Sequence, residues 1–337
     1  MKSLIKHIIP FGLVIITIMC FILSINYTLN LKKEKHTINI YFDDENMSLS
    51  NIKSIREEEE KKENPVIFTA WKQESKQSIE NEELNRSIEV TSILVNGDSS
   101  LIVNGTILFE DDKEGCLIDK DTAYKLFGDT NIIGKKIKYK DRELIVRGIH
   151  KGTSSTILMQ TLDNYEGNIN GITLYKGKDT NIKNFITSYG SSNNTVDNKI
   201  YYNFSKFCVL VLPAIILICI EFKLFKKVLQ AKNKYILKSL YIILILTLLI
   251  IFIKAINIKI PLEMLPNEWS DFKFWGELYK IYIKKIKYFL YMKKYNIDIF
   301  MIEYTSKVVL FSLISLISFF ITKSIIKKDF KYFKKSK

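Results

Sequence analysis

Four long apolar segments constrain the fold of this 337-residue chain more strongly than any other feature of its sequence. They cover residues 8–28, 204–225, 239–256 and 304–322. Each approaches the roughly 20 residues that a helix needs to cross the hydrocarbon core of a bilayer. One such segment can be a buried helix of a soluble protein, but four in one chain favour a protein that is integral to a membrane.

The first apolar segment shares one property with a secretory signal peptide, because Lys2 and Lys6 precede it. Its apolar run is longer than the roughly 7 to 15 residues of a signal-peptide core. No small-residue cleavage site follows it before Leu31. We therefore interpret residues 8–28 as a retained membrane anchor.

Lysine-rich connections give the predicted helices an orientation. Six lysines and no acidic residue lie from Lys223 to Lys238, and seven lysines with a single aspartate lie in residues 323–337. The positive-inside rule places both segments in the cytoplasm. Residues 257–303 carry eight lysines against six acidic residues, so this segment and residues 29–203 are predicted to lie outside. Much of the net charge of +14 therefore faces membrane lipids, which makes a nucleic-acid partner unnecessary.

These observations predict an α+β extracytoplasmic domain inserted between transmembrane helices 1 and 2 of a four-helix α-helical protein of the cell membrane, with both termini cytoplasmic. The predicted parts are a cytoplasmic N-terminus (1–7), transmembrane helix 1 (8–28), the outer domain (29–203), transmembrane helix 2 (204–225), a basic cytoplasmic loop (226–238), transmembrane helix 3 (239–256), an outer segment (257–303), transmembrane helix 4 (304–322) and a basic cytoplasmic tail (323–337). Heavy use of Ile, Lys and Asn indicates an AT-rich bacterial genome.

Within the outer domain, apolar runs between turn residues predict strands, and charged or amphipathic runs predict helices. The predicted strands are Ile38–Phe42, Val66–Trp71, Ile88–Val95, Leu101–Phe109 and Ile172–Tyr175. The predicted helices are Ser48–Asn64, ended by Pro65, and Thr180–Tyr189. In the first helix, the four glutamates from Glu57 to Glu60 point in different directions around the axis, which disfavours a metal site there.

The stretch AYKLFGDTNIIGKKI, residues 123–137, places two glycines before a lysine pair, as a phosphate-binding loop does. A Walker A loop has four residues between its glycines and then Lys followed by Ser or Thr. Here five residues separate Gly128 from Gly134, and a second lysine follows Lys135. We therefore assign both glycines to the backbone. Asp119 N-caps a short helix that ends at Gly128, and Gly134 turns the chain into a hairpin.

The predicted hairpin pairs the run KKIKY with the run ELIVRGI. On its two arms, the apolar residues Ile137, Tyr139, Leu144 and Val146 occur at every second position. Because side chains alternate between the two faces of a strand, these four residues define the face that packs on the domain core.

Residues 116–149, CLIDKDTAYKLFGDTNIIGKKIKYKDRELIVRGI, resemble the extracytoplasmic core domain of MacB-type ABC transporter permeases. In that family a short helix ending in Leu-Phe-Gly leads to an Ile-Gly-Lys turn and then to a hairpin closing on Val-x-Gly. The matching residues are Leu126, Phe127, Gly128, Gly134, Lys135 and Gly148. The family's layout of one helix, an outer domain and three further helices is also similar. The resemblance implies a separate cytoplasmic ABC ATPase, whose motion the permease relays outward, and a second permease copy as a further partner.

The resemblance also implies a place for the ATPase contact, namely the cytoplasmic connection after the second helix. The candidate contact residues are Phe225, Lys226 and Lys227. Here the sequence departs from the family, which usually has a glycine-containing segment of the type E-I-G-x-x-R-A-L-G-A. This chain reads EFKLFKKVLQAKNKYILKS, without glycine. Its outer segment 257–303 is also much longer than the short turn of the family.

The outer segment contains a predicted amphipathic helix within residues 267–295. Six apolar residues fall on one face, at Phe272, Trp275, Tyr279, Ile283, Ile286 and Leu290. Mostly basic residues point away from that face, at Lys273, Glu277, Lys280, Lys284 and Lys285. Trp and Tyr prefer the membrane–water interface. We therefore expect the apolar face to lie at that interface or in the groove of a partner, with packing on the outer domain as the alternative.

No pattern in the sequence predicts catalysis, a cofactor or a metal site. The histidines are scattered, at His7, His36 and His150. No nucleophile motif or HExxH pair is present. Three of the four cysteines fall in predicted membrane helices, at Cys20, Cys208 and Cys219. This leaves Cys116 as a lone cysteine in the outer domain, so the cysteines form neither a disulfide framework nor a CxxC metal site.

Two further groups of polar residues have alternative interpretations. The acidic pairs Asp43/Asp44 and Asp111/Asp112 are interpreted as solvated turns, with a weak calcium site as the alternative. In the second apolar segment, Pro213 and Glu221 are the nearest candidates for a substrate site, although Pro213 also fits a kink and Glu221 can reach the cytoplasmic edge.

Two functional hypotheses follow from the sequence. The first is a permease or permease-like subunit of a MacB-type ABC transporter, which couples a separate ATPase to export or extraction of a substrate. The alternative is a membrane-anchored scaffold or sensor that uses the MacB-like domain to bind an extracellular partner. The four-helix layout favours the first hypothesis, and the missing glycine segment favours the second.

Overall fold

The computed structural model describes residues 2–42, 47–152, 155–177, 180–189, 194–230, 235–256, 268 and 271–335. It describes side chains over these ranges except 2–7, 251–253, 255–256 and 328–335. The acidic pair Asp43/Asp44 lies outside the described residues. The chain divides into two compact units: the first comprises Met1–Lys32, Tyr201–Tyr279 and Tyr304–Lys337, and the second comprises Lys33–Ile200 and Lys280–Glu303.

The helices are α1 (Lys2–Leu31), α2 (Leu49–Glu60), α3 (Lys120–Phe127), α4 (Ile182–Tyr189), α5 (Lys199–Gln230), α6 (Tyr235–Ile256), α7 (Phe272–Tyr291) and α8 (Asn296–Lys335). Three stretches are long and apolar enough to cross a membrane, namely Ile8–His36, Lys199–Gln230 and Asn296–Lys327. The apolar stretch found in α6, Tyr235–Ile250, is shorter. The described residues thus contain three candidate spans, and the predicted four-helix layout is not confirmed.

Polar and aromatic side chains join α1 to α8 within the first unit. Thr17 Oγ1 and Ser318 Oγ are 2.8 Å apart and form a hydrogen bond between the two helices. Near the other end of α1, the ring of Tyr27 stacks on Phe311 with centroids 5.6 Å apart. Small hydroxyl residues let helix backbones approach closely, and they hydrogen-bond across helix pairs in lipid. These residues therefore give α1 and α8 a specific interface.

The second unit holds a ten-stranded mixed sheet. Its strands are β1 (Thr37–Tyr41), β2 (Phe68–Asn81), β3 (Arg86–Asn96), β4 (Asn104–Gly105), β5 (Gly115–Asp119), β6 (Lys136–Tyr139), β7 (Arg142–Lys151), β8 (Thr156–Gln160), β9 (Gly171–Tyr175) and β10 (Thr195–Asp197). The strand order is β10-β1-β9-β2-β3-β8-β5-β7-β4, and β6 pairs with both β2 and β7. The strands β2, β3, β8, β5, β7 and β6 therefore close into a ring, while β9, β1 and β10 continue from β2 as an open sheet.

The ring encloses one hydrophobic core. Its strands contribute Ile79, Val90, Ile118, Ile157 and Val146, among others. One face of α3 completes this core with Ala123, Leu126 and Phe127. The hairpin face predicted from alternation is confirmed, because Ile137, Tyr139, Leu144 and Val146 are all buried.

A second core lies where α2 and α4 cover the open sheet. Ile52 and Ile55 of α2 pack with strand residues such as Ile40 and Ile172. Phe185 of α4 belongs to the same cluster. The strand β2 contributes to both cores, with Phe68 and Ala70 near its start in the second core and Ile79 near its end in the first.

Most element predictions for the second unit agree with the structure, with shifted ends. The predicted strands 38–42, 88–95 and 172–175 correspond to β1, β3 and β9, and the predicted helices 48–64 and 180–189 correspond to α2 and α4. The first helix ends at Glu60, before Pro65, because buried Glu59 accepts a hydrogen bond from Val66 N at 3.1 Å and draws the chain back.

Two strand predictions need correction. The run Leu101–Phe109 is not one continuous strand, and only Asn104–Gly105 in it forms the short strand β4. Asp98 caps a 3₁₀ turn, and Leu108 N then donates to Ser99 Oγ at 2.8 Å, which folds the run back on itself. The strand predicted at Val66–Trp71 is the start of β2, which continues to Asn81. This extension is polar but pairs with β3 across a bulge. The strands β5, β8 and β10 were not predicted separately.

Candidate functional site

The stretch that carries the family resemblance folds as its sequence predicts. Asp119 caps α3, because its Oδ1 accepts hydrogen bonds from Asp121 N at 2.9 Å and Thr122 N at 3.2 Å. Gly128 ends α3 with a left-handed φ of 72°. Gly134 has φ 84° and donates its N–H to Val146 O at 2.8 Å, at the entry to the hairpin. Both glycines therefore serve the backbone.

The other marker residues are also structural. Leu126 and Phe127 lie in the core of the ring. The Lys135 ammonium lies 5.2 Å above the ring of Phe127. A Cβ atom on Gly148 would come within 2.3 Å of Thr106 Oγ1, so any larger residue at this position of β7 requires the Thr106 side chain to shift. Most marker residues therefore hold α3 and the hairpin to the ring, while Lys135 is exposed beside Phe127.

Asp119 also connects β5 to β8 through a buried polar cluster. Its Oδ2 accepts from Thr156 N at 2.7 Å, and Thr156 Oγ1 lies 3.1 Å from His150 Nε2. Burial lowers the pKa of His150 to about 4, although the nearby Asp119 carboxylate opposes this shift. His150 Nδ1 has no hydrogen-bond partner among the described residues. The imidazole is therefore held neutral.

His150 lines a pocket in the second unit. Other lining residues include Glu34, Asn104, Lys151 and Asn296. Asn104 Nδ2 donates to Glu34 Oε1 at 2.6 Å, so the carboxylate at this wall is already engaged. The pocket lies beside the beginning of α8. The first turn of that helix belongs to the main polar cluster of the unit.

That cluster, which we call the junction network, consists of Thr37, Asn39, Tyr41, Trp71, Thr173, Asn198, Tyr295 and Asp298. All eight residues are buried. The network joins three segments that lie close in sequence to α1, α5 and α8. Residues 37–41 follow α1, Asn198 immediately precedes α5, and Asp298 lies in the first turn of α8.

Asp298 holds the end of the network nearest α8. Its Oδ1 accepts a hydrogen bond from Tyr41 OH at 2.5 Å, and its Oδ2 accepts from Tyr295 N at 3.1 Å. A carboxylate in the first helical turn is also favoured by the helix dipole. Beside it, Asn296 N donates to Gln73 Oε1 at 2.8 Å. The start of α8 is thus bonded to both β1 and β2.

Aromatic packing reinforces these bonds. Tyr41 stacks on Tyr295 with ring centroids 5.9 Å apart and planes 14° apart. Trp71 meets Tyr295 edge to face at 4.9 Å and Tyr41 at 6.0 Å. Aromatic pairs of this kind contribute about 0.5 to 1.5 kcal/mol beyond the area that they bury. Three rings and one carboxylate therefore make a stiff contact.

The rest of the network continues from Trp71 to the segments beside α5 and α1. Trp71 Nε1 donates to Thr173 Oγ1 at 3.1 Å, and Thr173 donates to Asn39 Oδ1 at 2.9 Å. Asn39 Nδ2 then reaches Asn198 Oδ1 at 3.5 Å. Asn198 Nδ2 donates to Thr37 Oγ1 at 2.8 Å. One unbroken chain of hydrogen bonds and ring contacts thus links the three segments.

The candidate ATPase-contact residues Phe225, Lys226 and Lys227 lie near the end of α5. Phe225 is 53% exposed. The Lys226 ammonium lies 4.7 Å above the Phe222 ring, and the Lys227 ammonium lies 5.9 Å above the Tyr241 ring. The aromatic side chain is thus available to a partner, while both lysines also contact their own chain. Part of the connection that follows, residues 231–234, lies outside the described residues.

The structure also places the residues considered for metal binding. Among the described residues, no group of three or more His, Cys, Asp and Glu side chains is arranged to hold a metal ion. Asp112 pairs with Arg147, with Oδ2 and Nε 2.8 Å apart, which accounts for one member of the acidic pair Asp111/Asp112. Cys116 is buried in the ring core, and burial raises the pKa of its thiol.

In α5, Pro213 lies inside the helix. Glu221 Oε1 is buried there, without a hydrogen-bond partner in the part of the chain that the structure describes.

Sequence reasoning did not identify the junction network. Its members are ordinary strand residues such as Asn39 and Thr173, or turn residues such as Asn198. The one local signal was Asp298, an acidic residue that begins a long apolar helix. The partner of that carboxylate, Tyr41, lies 257 residues away, so no local pattern reveals the pair.

Comparison with known proteins gives a limited result. No protein-family model matches the chain, and no curated protein matches it. Among solved structures, the chain is similar to the periplasmic region of MacB from Actinobacillus actinomycetemcomitans, with 17% identity, a TM-score of 0.37 and coverage of 46% of this chain and 81% of that one. It is also similar to the extracellular domain of the noncanonic ABC-type transporter YknZ from Gram-positive bacteria, with 18% identity, a TM-score of 0.34 and coverage of 44% and 87%.

Both of these structures are domains of ABC-type transporter components. At such TM-scores the similarity does not establish a function by itself. The role of this chain and the identity of any ATPase therefore remain predictions of the sequence resemblance.

Proposed function

We propose that this chain is a permease or permease-like subunit of a MacB-type ABC transporter in the cell membrane. In this proposal the chain is not itself an enzyme, because a separate cytoplasmic ATPase supplies the energy. The chain relays the motion of that ATPase to the extracytoplasmic domain, for export or extraction of a substrate. The class of transporter rests on the sequence resemblance over residues 116–149, together with the three apolar helices.

The observation that carries the relay is the junction network. A domain that is to be moved by helices needs stiff attachments to the segments beside them. Here the segments beside α1, α5 and α8 are bonded to one another and to the sheet through buried polar groups and stacked rings. A hydrogen bond to a charged group contributes about 1.5 to 3 kcal/mol, so a displacement of one segment is resisted by the others.

The alternative function, a membrane-anchored scaffold or sensor, is favoured by a different observation. The end of α5 lacks the glycine-containing segment of the family, and Lys226 and Lys227 are both engaged with aromatic rings of their own chain. A chain of this kind keeps the outer domain to bind an extracellular partner and no longer contacts an ATPase.

The two functions are distinguished by purification of the tagged full-length chain from its native membrane, followed by identification of the proteins that accompany it. We expect an ABC ATPase to copurify with the native chain and to be lost from the triple variant Phe225→Ala, Lys226→Ala and Lys227→Ala. The matched control carries Lys199→Ala and Phe204→Ala, which remove the same residue types at the other end of α5 and should retain the ATPase. Recovery of the native chain without any ABC ATPase would refute the permease function and favour the scaffold.

A further inference from the structure

Helix α7 has an apolar face whose side chains stay exposed among the residues that the structure describes. None of the described side chains of α7 is buried. On the face predicted to be apolar, Phe272 is 84% exposed, Tyr279 68% and Leu290 65%. Exposed apolar patches of this kind mark sites of interaction with a protein or a membrane.

One flank of the apolar face of α7 is basic. Four lysines follow one another on it at helical spacing, at Lys273, Lys280, Lys284 and Lys287. They make no ion pair with the chain in the part that the structure describes. Within the whole helix, five lysines stand against one acid, Glu277. An uncompensated basic face of this kind is complementary to an anionic surface.

The position of α7 in the chain narrows the choice of surface. It follows α6, whose mean composition is strongly apolar, and it precedes α8, which contains a candidate membrane span. Met292, the first residue after α7, is buried. Four residues after α7, Tyr295 belongs to the junction network. The helix is therefore connected, through four residues, to a helix that contains a candidate membrane span.

We propose that α7 lies in the anionic headgroup layer of the membrane that α8 crosses. Its lysines contact lipid phosphates, and Phe272, Tyr279 and Leu290 reach the boundary of the acyl chains. Trp275 and Tyr279 combine an apolar ring with a polar tip, which is the composition that membrane interfaces favour. The proposal rests on the membrane location given under the proposed function, but not on the ATPase or on transport.

Lipid contact of α7 can be measured on the full-length chain reconstituted in vesicles of phosphatidylcholine and phosphatidylglycerol. Lipids brominated in the upper acyl chain quench a nearby tryptophan, and the difference between the native chain and Trp275→Phe isolates the signal of Trp275. We expect strong quenching of that signal. An unquenched Trp275 in vesicles that float with the protein would overturn the proposal, whether Trp275 then lies in water or in a protein groove.

The role of the lysines has its own test. At equal mole fractions, brominated phosphatidylglycerol should quench Trp275 more than brominated phosphatidylcholine does. We expect the triple variant Lys280→Gln, Lys284→Gln and Lys287→Gln to lose this preference. At about 1 kcal/mol per basic residue, each lysine contributes up to about a fivefold preference for the anionic lipid. The control variant Lys136→Gln, Lys138→Gln and Lys140→Gln changes net charge equally on the hairpin of β6 and β7 and should keep this preference. An unchanged preference in the α7 variant would overturn the electrostatic part of the proposal.

These outcomes are independent of the ATPase experiment. Loss of the ATPase contact leaves the quenching of Trp275 unaffected. If instead the apolar helices do not cross the membrane, the native chain fails to float with the vesicles, and that failure contradicts the proposed function and the position of α7 together.

Discussion

The hydroxyl group of Tyr41 is the single group whose removal should most weaken the junction network. The variant Tyr41→Phe deletes only this hydroxyl and keeps the ring that stacks on Tyr295 and meets Trp71. The hydroxyl lies 2.5 Å from Asp298 Oδ1, and both residues are buried. Asp298 then retains the hydrogen bond from Tyr295 N but loses its shortest one.

The expected loss follows from the charge and burial of the acceptor. Hydrogen bonds to charged groups contribute about 1.5 to 3 kcal/mol to stability. A buried carboxylate that loses such a bond is less well compensated for its removal from water. We therefore expect the free energy of unfolding of the second unit to fall by about 2 kcal/mol in Tyr41→Phe. Asp298→Asn should cost a similar amount. Because the two residues are in direct contact, the double variant should cost about 1 to 2 kcal/mol less than the sum of the single variants.

Urea unfolding of the full-length chain in detergent measures these changes. Near-ultraviolet circular dichroism reports the packing of the aromatic side chains, among them Tyr41, Trp71 and Tyr295. At a slope of about 1 to 3 kcal/mol per M of urea, a loss of 2 kcal/mol moves the midpoint by about 1 M. The control Tyr124→Phe removes a hydroxyl from a side chain that is 65% exposed and should leave the midpoint unchanged. Strict additivity of Tyr41→Phe and Asp298→Asn would refute the bond's contribution.

Two further predictions concern the ring. Burial keeps His150 neutral, with its pKa lowered from 6.5 to about 4, so the unfolded chain binds the additional proton between these pH values. Stability should therefore fall as the pH drops below about 6.5, by about 3 kcal/mol near pH 4. His150→Gln should flatten that part of a plot of urea midpoint against pH, and an unaltered slope would contradict this assignment. Gly148→Ala should destabilise the ring by about 1 to 3 kcal/mol, because the added methyl group overlaps Thr106. Thr106→Ala should restore part of the loss in melting experiments, and a native melting temperature for Gly148→Ala alone would show that β7 shifts freely.

Local sequence signals were sufficient where the determining interactions are themselves local. The bounds of α3 follow from the cap at Asp119 and the left-handed residue Gly128, which lie within one short helix of each other. The hairpin of β6 and β7 follows from alternation, since each arm buries every second residue. In both places backbone geometry and burial agree with the pattern in the sequence.

The elements that the sequence did not predict are those whose structure depends on residues far away in the sequence. The polar second half of β2 lacks an apolar pattern, yet it is a strand because β3 and β6 supply its hydrogen bonds. β8 is a short run with all five residues buried, so it has no alternation to detect. The junction network depends on Asp298 meeting Tyr41, and a lone aspartate before an apolar helix does not specify its partner.

The same separation in sequence sets an order of events during synthesis. Asn39 in β1 bonds to Thr173 in β9, 134 residues later. At a synthesis rate of about 5 to 20 residues per second, β9 is synthesised on the order of 10 s after β1. The interval between the synthesis of Tyr41 and that of its partner is longer still, since Asp298 follows 257 residues after it and lies beyond α5 and α6. A polypeptide that stops after α5 lacks Asp298 and Tyr295, so the hydroxyl of Tyr41 and the edge of Trp71 would be uncovered. The outer domain produced alone would therefore lack part of its own core.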